Sequence, residues 1–228
     1  MKQAVDVSKL QREFVKFRDR PDRPKFIGKR FQSYLNGKVV DVGCDQAVLR
    51  TMLGSANYLG VGMTAESDVK VDLDSGKPLP FPDASCDTVL CLDTLEHLDN
   101  FHEVCNELFR IAGKYVIISL PNCWVQARRS MAKGSGSIWQ YGLPLTPPPD
   151  RHKWLFNTEE ACAFLLAQES RKNVTRIVEL VALENKRPLI NRIWRRVKYP
   201  SRRKYLNLYP HTVVCVYQLG IPSERIST

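Results

Sequence analysis

Hydrophobic positions along this chain switch between two periods. Val39, Val40 and Val42 form a short apolar run that ends on Gly43, and Val48, Leu49, Met52 and Leu53 follow at helical spacing. A run of that length closed by glycine predicts a buried strand at 38–42, and the spacing after it predicts a helix over 46–54. The same reading predicts strands at 58–62, 87–92 and 115–120 and a helix over 100–112. After residue 150 it predicts a helix over Thr158–Gln168, capped by Asn157 or Thr158, and strands over Val174–Leu183 and Thr212–Leu219. Strands alternating with helices predict an α/β fold with a parallel sheet and helices on both faces.

The flanks follow other patterns. Val7, Leu10, Phe14 and Phe17 stand at helical spacing and predict a helix over 6–19. Arg20-Pro-Asp-Arg-Pro24 breaks it, and a second helix is expected over Lys25–Leu35, ending at Asn36-Gly37. Residues 122–132 predict an amphipathic helix. A Gly/Ser stretch and Pro144 and Pro147-Pro-Pro149 follow, which reads as a lid because the α/β pattern resumes at Arg151. The expected organisation is one domain, 1–228, with N-terminal helices in 1–36, a lid-like insertion at 121–156 and a basic insertion at 185–209.

Composition narrows the class. At 43% hydrophobic and 25% charged residues, the chain has the makeup of an ordinary globular protein. It shows no signal-peptide pattern and no apolar stretch near the ~18 residues of a membrane span. Seven cysteines, an odd number with no Cys-x-x-Cys pair, predict buried free thiols in a reducing, cytoplasmic setting and no zinc site. Charge is uneven. Of the net +10, nine positive charges without an acid fall between Asn185 and Lys204, at Lys186, Arg187, Arg192, Arg195, Arg196, Lys198, Arg202, Arg203 and Lys204. A near-neutral body with one basic segment points to one local anionic contact.

The stretches just after the strands carry the candidate chemistry, because ligands of open parallel sheets bind beyond the carboxyl ends of strands. They are Gly43-Cys-Asp45, Gly62-Met63, Val71-Asp-Leu-Asp74, Leu92-Asp-Thr-Leu-Glu-His97 and Ser119-Leu-Pro-Asn122. The series Val-Asp-Val-Gly-Cys, Val-Asp-Leu-Asp, Leu-Pro-Phe-Pro-Asp-Ala-Ser-Cys-Asp and Leu-Asp-Thr-Leu-Glu-His-Leu, covering about 38–122, resembles class I S-adenosylmethionine-dependent methyltransferases. Arg151-His-Lys-Trp-Leu-Phe-Asn-Thr-Glu-Glu160 resembles a further piece of the same enzymes.

The resemblance implies a Rossmann-like, seven-stranded, mostly parallel sheet whose last two strands form an antiparallel edge pair. It implies S-adenosylmethionine as cofactor, with Gly43, Cys44 and Asp45 at its methionine part and Gly62 and Met63 at the ribose. Asp72 and Leu73 would sit at the adenine, and Leu92 and Asp93 beneath the sulfonium. Asp41 would orient the turn through backbone amides. Asp45 and Ala47 stand where the family has glycine, and Gly62 where it has a ribose carboxylate, which Glu66 or Asp68 is expected to replace. With those departures two outcomes stay open. One is methyl transfer to a small-molecule, glycan or lipid-linked acceptor, with oxygen as the expected methyl-accepting atom. The other is a degenerate binding protein acting through its basic segment.

An oxygen acceptor must lose a proton, and His152 and His97 are the expected bases, with Glu96 or Asp93 as weaker choices. Asn122 and the aromatic residues Trp139, Tyr141 and Trp154 are candidates for the acceptor pocket, or packing for the lid. Leu189, Ile190, Ile193, Trp194 and Val197 share one helical stripe among arginines and lysines. It reads either as a core-facing stripe or as a basic amphipathic helix on the inner face of an anionic membrane through 186–204. Nucleic acid is the lesser alternative, as no named binding motif is present.

Overall fold

The computed structural model describes residues 10–138, 140–146, 148 and 151–220. Eight strands lie in one sheet: β1 (Gln11–Val15), β2 (Val39–Val42), β3 (Tyr58–Gly62), β4 (Val69–Lys70), β5 (Cys86–Leu92), β6 (Ala112–Pro121), β7 (Val174–Asn185) and β8 (Thr212–Leu219). Their order is β1-β7-β8-β6-β5-β2-β3-β4. All pairings are parallel except those of β8 with β6 and with β7. The α/β expectation therefore holds, with eight strands in place of seven.

Alternation along the strands builds two core layers. Val40 and Val42 of β2 face one layer with Val89 and Cys91 of β5, and Val39 and Leu90 face the other. Helix α3 (Phe101–Ile111) buries Phe101, Val104, Cys105, Leu108 and Phe109 in the first layer, where α5 (Thr158–Ala167) joins it. Helix α1 (Asp22–Arg30) and the short α2 (Arg50–Leu53) cover the second. Asn157 starts α5 with a full capping box, its side chain accepting from Glu160 and that of Glu160 from Asn157. All seven cysteines are buried free thiols.

Two expectations need correction. The segment read as a helix over 6–19 holds β1, which pairs in parallel with β7, Gln11 opposite Val181 and Val15 opposite Asn185 (residues 6–9 lie outside the described part). The helical spacing of Leu10, Phe14 and Phe17 is real, but the open edge of the 12-residue β7 offers a backbone ladder that local propensity does not outweigh. Strand β7 is thus no longer an edge, and β7 and β8 are interior to the sheet.

The second correction concerns the basic insertion, which folds as α6 (Leu189–Lys198) and α7 (Arg202–Leu208). The apolar stripe of α6 does not face the core. Leu189, Ile190, Ile193, Trp194 and Val197 are 55–74% exposed. The cationic side turns inward instead. Arg192 lies over the Phe14 ring at 3.7 Å, and Arg195 lies over Tyr209 at 4.2 Å and reaches the buried Glu184 at 3.3 Å. Tyr205 of α7 donates to the same carboxylate at 2.8 Å. A buried carboxylate needs such partners, so Glu184 anchors the inner side of both helices.

Candidate active site

The order of strands reverses between β2 and β5: the chain runs from β2 outward to β3 and β4, then returns to β5 on the other side. At that switch point, beyond the strands' carboxyl ends, lies a cavity of about 510 Å³. Cofactor-sized sites have volumes of this order, about 300–1,000 Å³. Gly43, Cys44, Asp45 and Gln46 line it from the turn after β2, and Leu92, Asp93, Glu96 and His97 from the turn after β5. Gln140 and His152 come from the insertion, and Phe17, Arg20 and Arg23 from the segment before and within α1.

The turn after β2 keeps a glycine-like shape without its glycines. Gly43 has φ +80°, and Asp45 and Ala47 both have φ +47°. Left-handed backbone costs an L-residue about 1–2 kcal/mol, least for aspartate. Asp45 and Ala47 thus adopt backbone that glycine takes without strain, and the helix starts later than position 46, at Arg50. Asp45 pairs with Arg20 at 3.1 Å, and its carbonyl accepts from the Thr64 hydroxyl at 2.7 Å.

The carboxylates differ in surroundings. Asp93 forms an ion pair with Arg23, and its Oδ1 accepts from Ser119 at 2.8 Å. Asp41 is buried and accepts a hydrogen bond from Tyr58 at 2.7 Å, so that contact, rather than backbone amides of the turn, is what holds it. Burial raises its pKa to about 6, against the lowering effect of the Tyr58 bond. Because the folded pKa is raised, the contribution of Asp41 to stability is full below pH 4 and is lost as pH rises through about 6. Asp41→Asn should therefore stabilise the ligand-free protein at pH 8 by up to about 3 kcal/mol and leave it unchanged near pH 4. Urea unfolding at the two pH values checks this, and equal effects at both would contradict it.

At the other end, His152 is buried with its Nδ1 2.9 Å from the Tyr141 hydroxyl, and its ring meets that of His97 edge-on at 4.6 Å between centroids. Tyr141 thus positions His152. Trp154 points elsewhere: its Nε1 donates to the Leu98 carbonyl, and its ring joins Phe101 and Phe164 around a separate, smaller cavity. Asn122 is not available to an acceptor. Its amide nitrogen donates to the carbonyls of Asn207 and Pro210, and its oxygen caps α4 (Cys123–Lys133) at Trp124. Trp139 lies outside the described residues.

Four expected cofactor residues do not line the main cavity. Gly62 ends β3 and Met63 follows it, 67% exposed. Asp72 accepts from the Asp74 amide at 3.0 Å, and Leu73 lines a neighbouring cavity of about 280 Å³. Asp68 does not stand in for a ribose carboxylate, since it accepts from the Gly60 amide at 2.7 Å and pairs with Arg50 at 2.9 Å. The sequence reading missed Phe17, Arg20 and Arg23. The available signal was the two prolines of Arg20-Pro-Asp-Arg-Pro24, which mark a turn rigid enough to hold side chains over the cleft.

S-adenosylmethionine fits these residues. A Cβ at Gly43 would lie 2.2 Å from the Thr94 hydroxyl, so the close packing that keeps this turn bare of side chain is built in. Asp45 and Asp93 line the cavity paired with Arg20 and Arg23, so the lining offers both signs of charge to the cofactor's carboxylate, ammonium and sulfonium.

Comparison with known proteins agrees. Residues 30–117 match the family described as "Methyltransferase domain". No curated protein matches the chain. Among solved structures, a SAM-dependent methyltransferase from Archaeoglobus fulgidus is similar at TM-score 0.53 and 18% identity, over 89% of this chain and 96% of that one. A Mesorhizobium loti S-adenosylmethionine-dependent methyltransferase is similar at TM-score 0.50 and 13% identity, over 87% and 98%. At these identities the likeness is one of fold. Residues 30–117 thus resemble a methyltransferase domain, and the chain as a whole shares its fold with S-adenosylmethionine-dependent methyltransferases.

Proposed function

We propose that this enzyme methylates a hydroxyl oxygen on a lipid-linked acceptor, such as a glycan headgroup, at an anionic membrane surface. One observation carries the reading: the apolar face of α6 is open to solvent at the same carboxyl end of the sheet as the cavity. Strand β8 runs antiparallel to both β6 and β7, so β7 points the same way as β6 and β5. The carboxyl end of β7, from which α6 departs, therefore lies on the cavity's side of the sheet. Contacts support this placement. Asn122, just past β6, donates to the carbonyls of Asn207 at the end of α7 and of Pro210 beyond it, and the Phe17 ring of the cavity meets that of His211 at 5.4 Å between centroids. No helix among the described residues is long and apolar enough to cross a membrane, so the contact is peripheral.

The cofactor supplies a methyl group on a positive sulfur. Gly43, Cys44 and Asp45 would hold its amino-acid part, and Leu92 and Asp93 would lie beneath the sulfonium. Glu96, His97 and His152 would promote loss of the hydroxyl proton from the acceptor, whose oxygen would receive the methyl group that the cofactor supplies. Alignment supplies most of the rate, and proton handling adds about 10²–10⁴-fold.

The test is transfer of labelled methyl groups to lipid-linked sugars in anionic vesicles. His152→Gln should lower kcat at least about 100-fold while leaving the calorimetric affinity for S-adenosylmethionine unchanged. Unchanged kcat in that variant removes the proton-handling role. Labelling of water-soluble sugars alone removes the lipid-linked acceptor.

A further inference from the structure

Three ligand-type side chains converge at the inner end of the cavity. One ligand atom from each of Glu96, His97 and His152 lies within 4.8 Å of the other two. Glu96 and His97 come from the turn after β5, and His152 comes from the segment ahead of α5, so tertiary folding alone assembles the group. Glu96 is 1% exposed.

Both imidazoles are fixed through Nδ1. His97 Nδ1 lies 3.0 Å from the Arg151 carbonyl oxygen, which can only accept, so Nδ1 carries the proton. The Tyr141 hydroxyl lies 2.9 Å from His152 Nδ1 and 3.0 Å from the Trp154 carbonyl, and with its proton on that carbonyl its oxygen accepts from Nδ1. The neutral His97 ring therefore has its lone pair on Nε2, 3.8 Å from Glu96 Oε1, and His152 has the same tautomer when the Tyr141 proton is on the Trp154 carbonyl. Histidines that bind metals are commonly oriented in this way, by a carbonyl or other acceptor at the second nitrogen. Arg20 and Arg23 form ion pairs with Asp45 and Asp93, Arg23 also lies within electrostatic reach of Glu96, and the inner group combines one carboxylate with two imidazoles.

We propose that Glu96, His97 and His152 bind one divalent transition cation. Two imidazole nitrogens and one carboxylate oxygen suit Zn²⁺ and its neighbours, while Mg²⁺ and Ca²⁺ favour all-oxygen sets. With bonds of about 2.1 Å, tetrahedral ligands stand about 3.4 Å apart. The observed spread thus closes by small side-chain rotations. Three protein ligands leave a position open to the cavity, the arrangement of catalytic rather than structural sites. An acceptor hydroxyl bound there would have its pKa lowered and would release its proton to solvent before taking the methyl group. That use rests on the O-methylation reading, whereas binding of the cation does not. Cysteine spacing gave no sign of the site because none of its ligands is a cysteine.

The test uses the untagged full-length protein, stripped with a chelator and free of cofactor and acceptor. Titration with Co²⁺, read by visible absorption, should show one equivalent bound at micromolar affinity or tighter, displaced by Zn²⁺. His97→Gln and His152→Gln should each weaken binding at least about 100-fold, and Tyr141→Phe about 10-fold. His102→Gln, on α3 outside the group, should change nothing. Circular dichroism checks the fold of each variant, and if His152→Gln does not fold, His97→Gln and Tyr141→Phe decide. Lack of stoichiometric Co²⁺ binding by the folded parent, or equal binding by His97→Gln, overturns the proposal. Because no methyl transfer is measured, that result leaves the methyltransferase reading standing.

Discussion

Gly43→Ala is expected to weaken S-adenosylmethionine binding at least about 100-fold, or close to 3 kcal/mol. Two separate effects add. Gly43 has φ +80°, where an alanine is strained by about 1–2 kcal/mol. The new methyl group would also stand 2.2 Å from Thr94 Oγ1 and 2.8 Å from Thr94 Cβ, distances that only a shift of backbone can relieve. Thr94 opens the turn carrying Glu96 and His97, and its hydroxyl donates to the Leu92 carbonyl at 3.1 Å. A shift therefore propagates from the β2 turn into the β5 turn, and both walls of the cavity move. Gly54→Ala separates the two effects. Gly54 has φ +79° with nothing within 4 Å of a Cβ, so its substitution carries the strain without the clash. It should lower stability by about 1–2 kcal/mol and leave cofactor affinity unchanged. The double variant Gly43→Ala/Thr94→Gly should regain much of the lost affinity. Calorimetric titration of the three variants decides, and a Gly43→Ala protein that binds as the parent does would place the cofactor elsewhere.

The sequence disclosed the parts of this fold that depend on strong local patterns. Central parallel strands are continuous apolar runs, so β2, β3, β5 and β6 could be located within a few residues. Helix α3 has one clean apolar face and was equally plain. Strand β1 was not, because Leu10, Phe14 and Phe17 satisfy a helical period while the deciding interaction is an edge ladder with β7, more than 160 residues away. The site divides the same way. Gly43, Asp93, His97 and His152 were legible because they follow strands or sit in recognisable motifs. The pairing of Asp45 with Arg20 and of Asp93 with Arg23 was not, because it depends on where α1 begins relative to the cleft. Nor was the tie between Tyr141 and His152, which joins two points of an irregular insertion. Asn122 misled for a related reason: a polar residue at a strand end looks available until the carbonyls at the end of α7 and just beyond it are placed around it.

The helix α6 gives the other large expected effect. Replacing Ile190 and Trp194 by glutamate together should reduce binding to anionic vesicles at least about 100-fold, while cofactor affinity and thermal stability stay near those of the parent. The two side chains are 74% and 61% exposed, so the folded protein loses little packing. At a bilayer surface each apolar side chain of this size contributes about 1.5–3 kcal/mol when buried, so removing two costs at least about 3 kcal/mol before charge repulsion is added. Cations enter separately. Arg192 and Arg195 are turned to Phe14, Tyr209 and Glu184, so the surface attraction falls to Lys186, Arg187, Arg196, Lys198 and Lys204 around the apolar stripe. Each cation near an anionic leaflet is worth about 1 kcal/mol, and salt screens that share but not the apolar one. Parent binding should therefore weaken in part between low and high salt, and Lys186→Glu/Lys198→Glu should abolish the salt-dependent part alone. Co-sedimentation with phosphatidylserine-containing and neutral vesicles measures both shares. Equal binding of the parent to the two vesicle types would remove the electrostatic half of the argument. A parent that stays in the supernatant with both would leave the α6 stripe to a protein partner and the acceptor to solution.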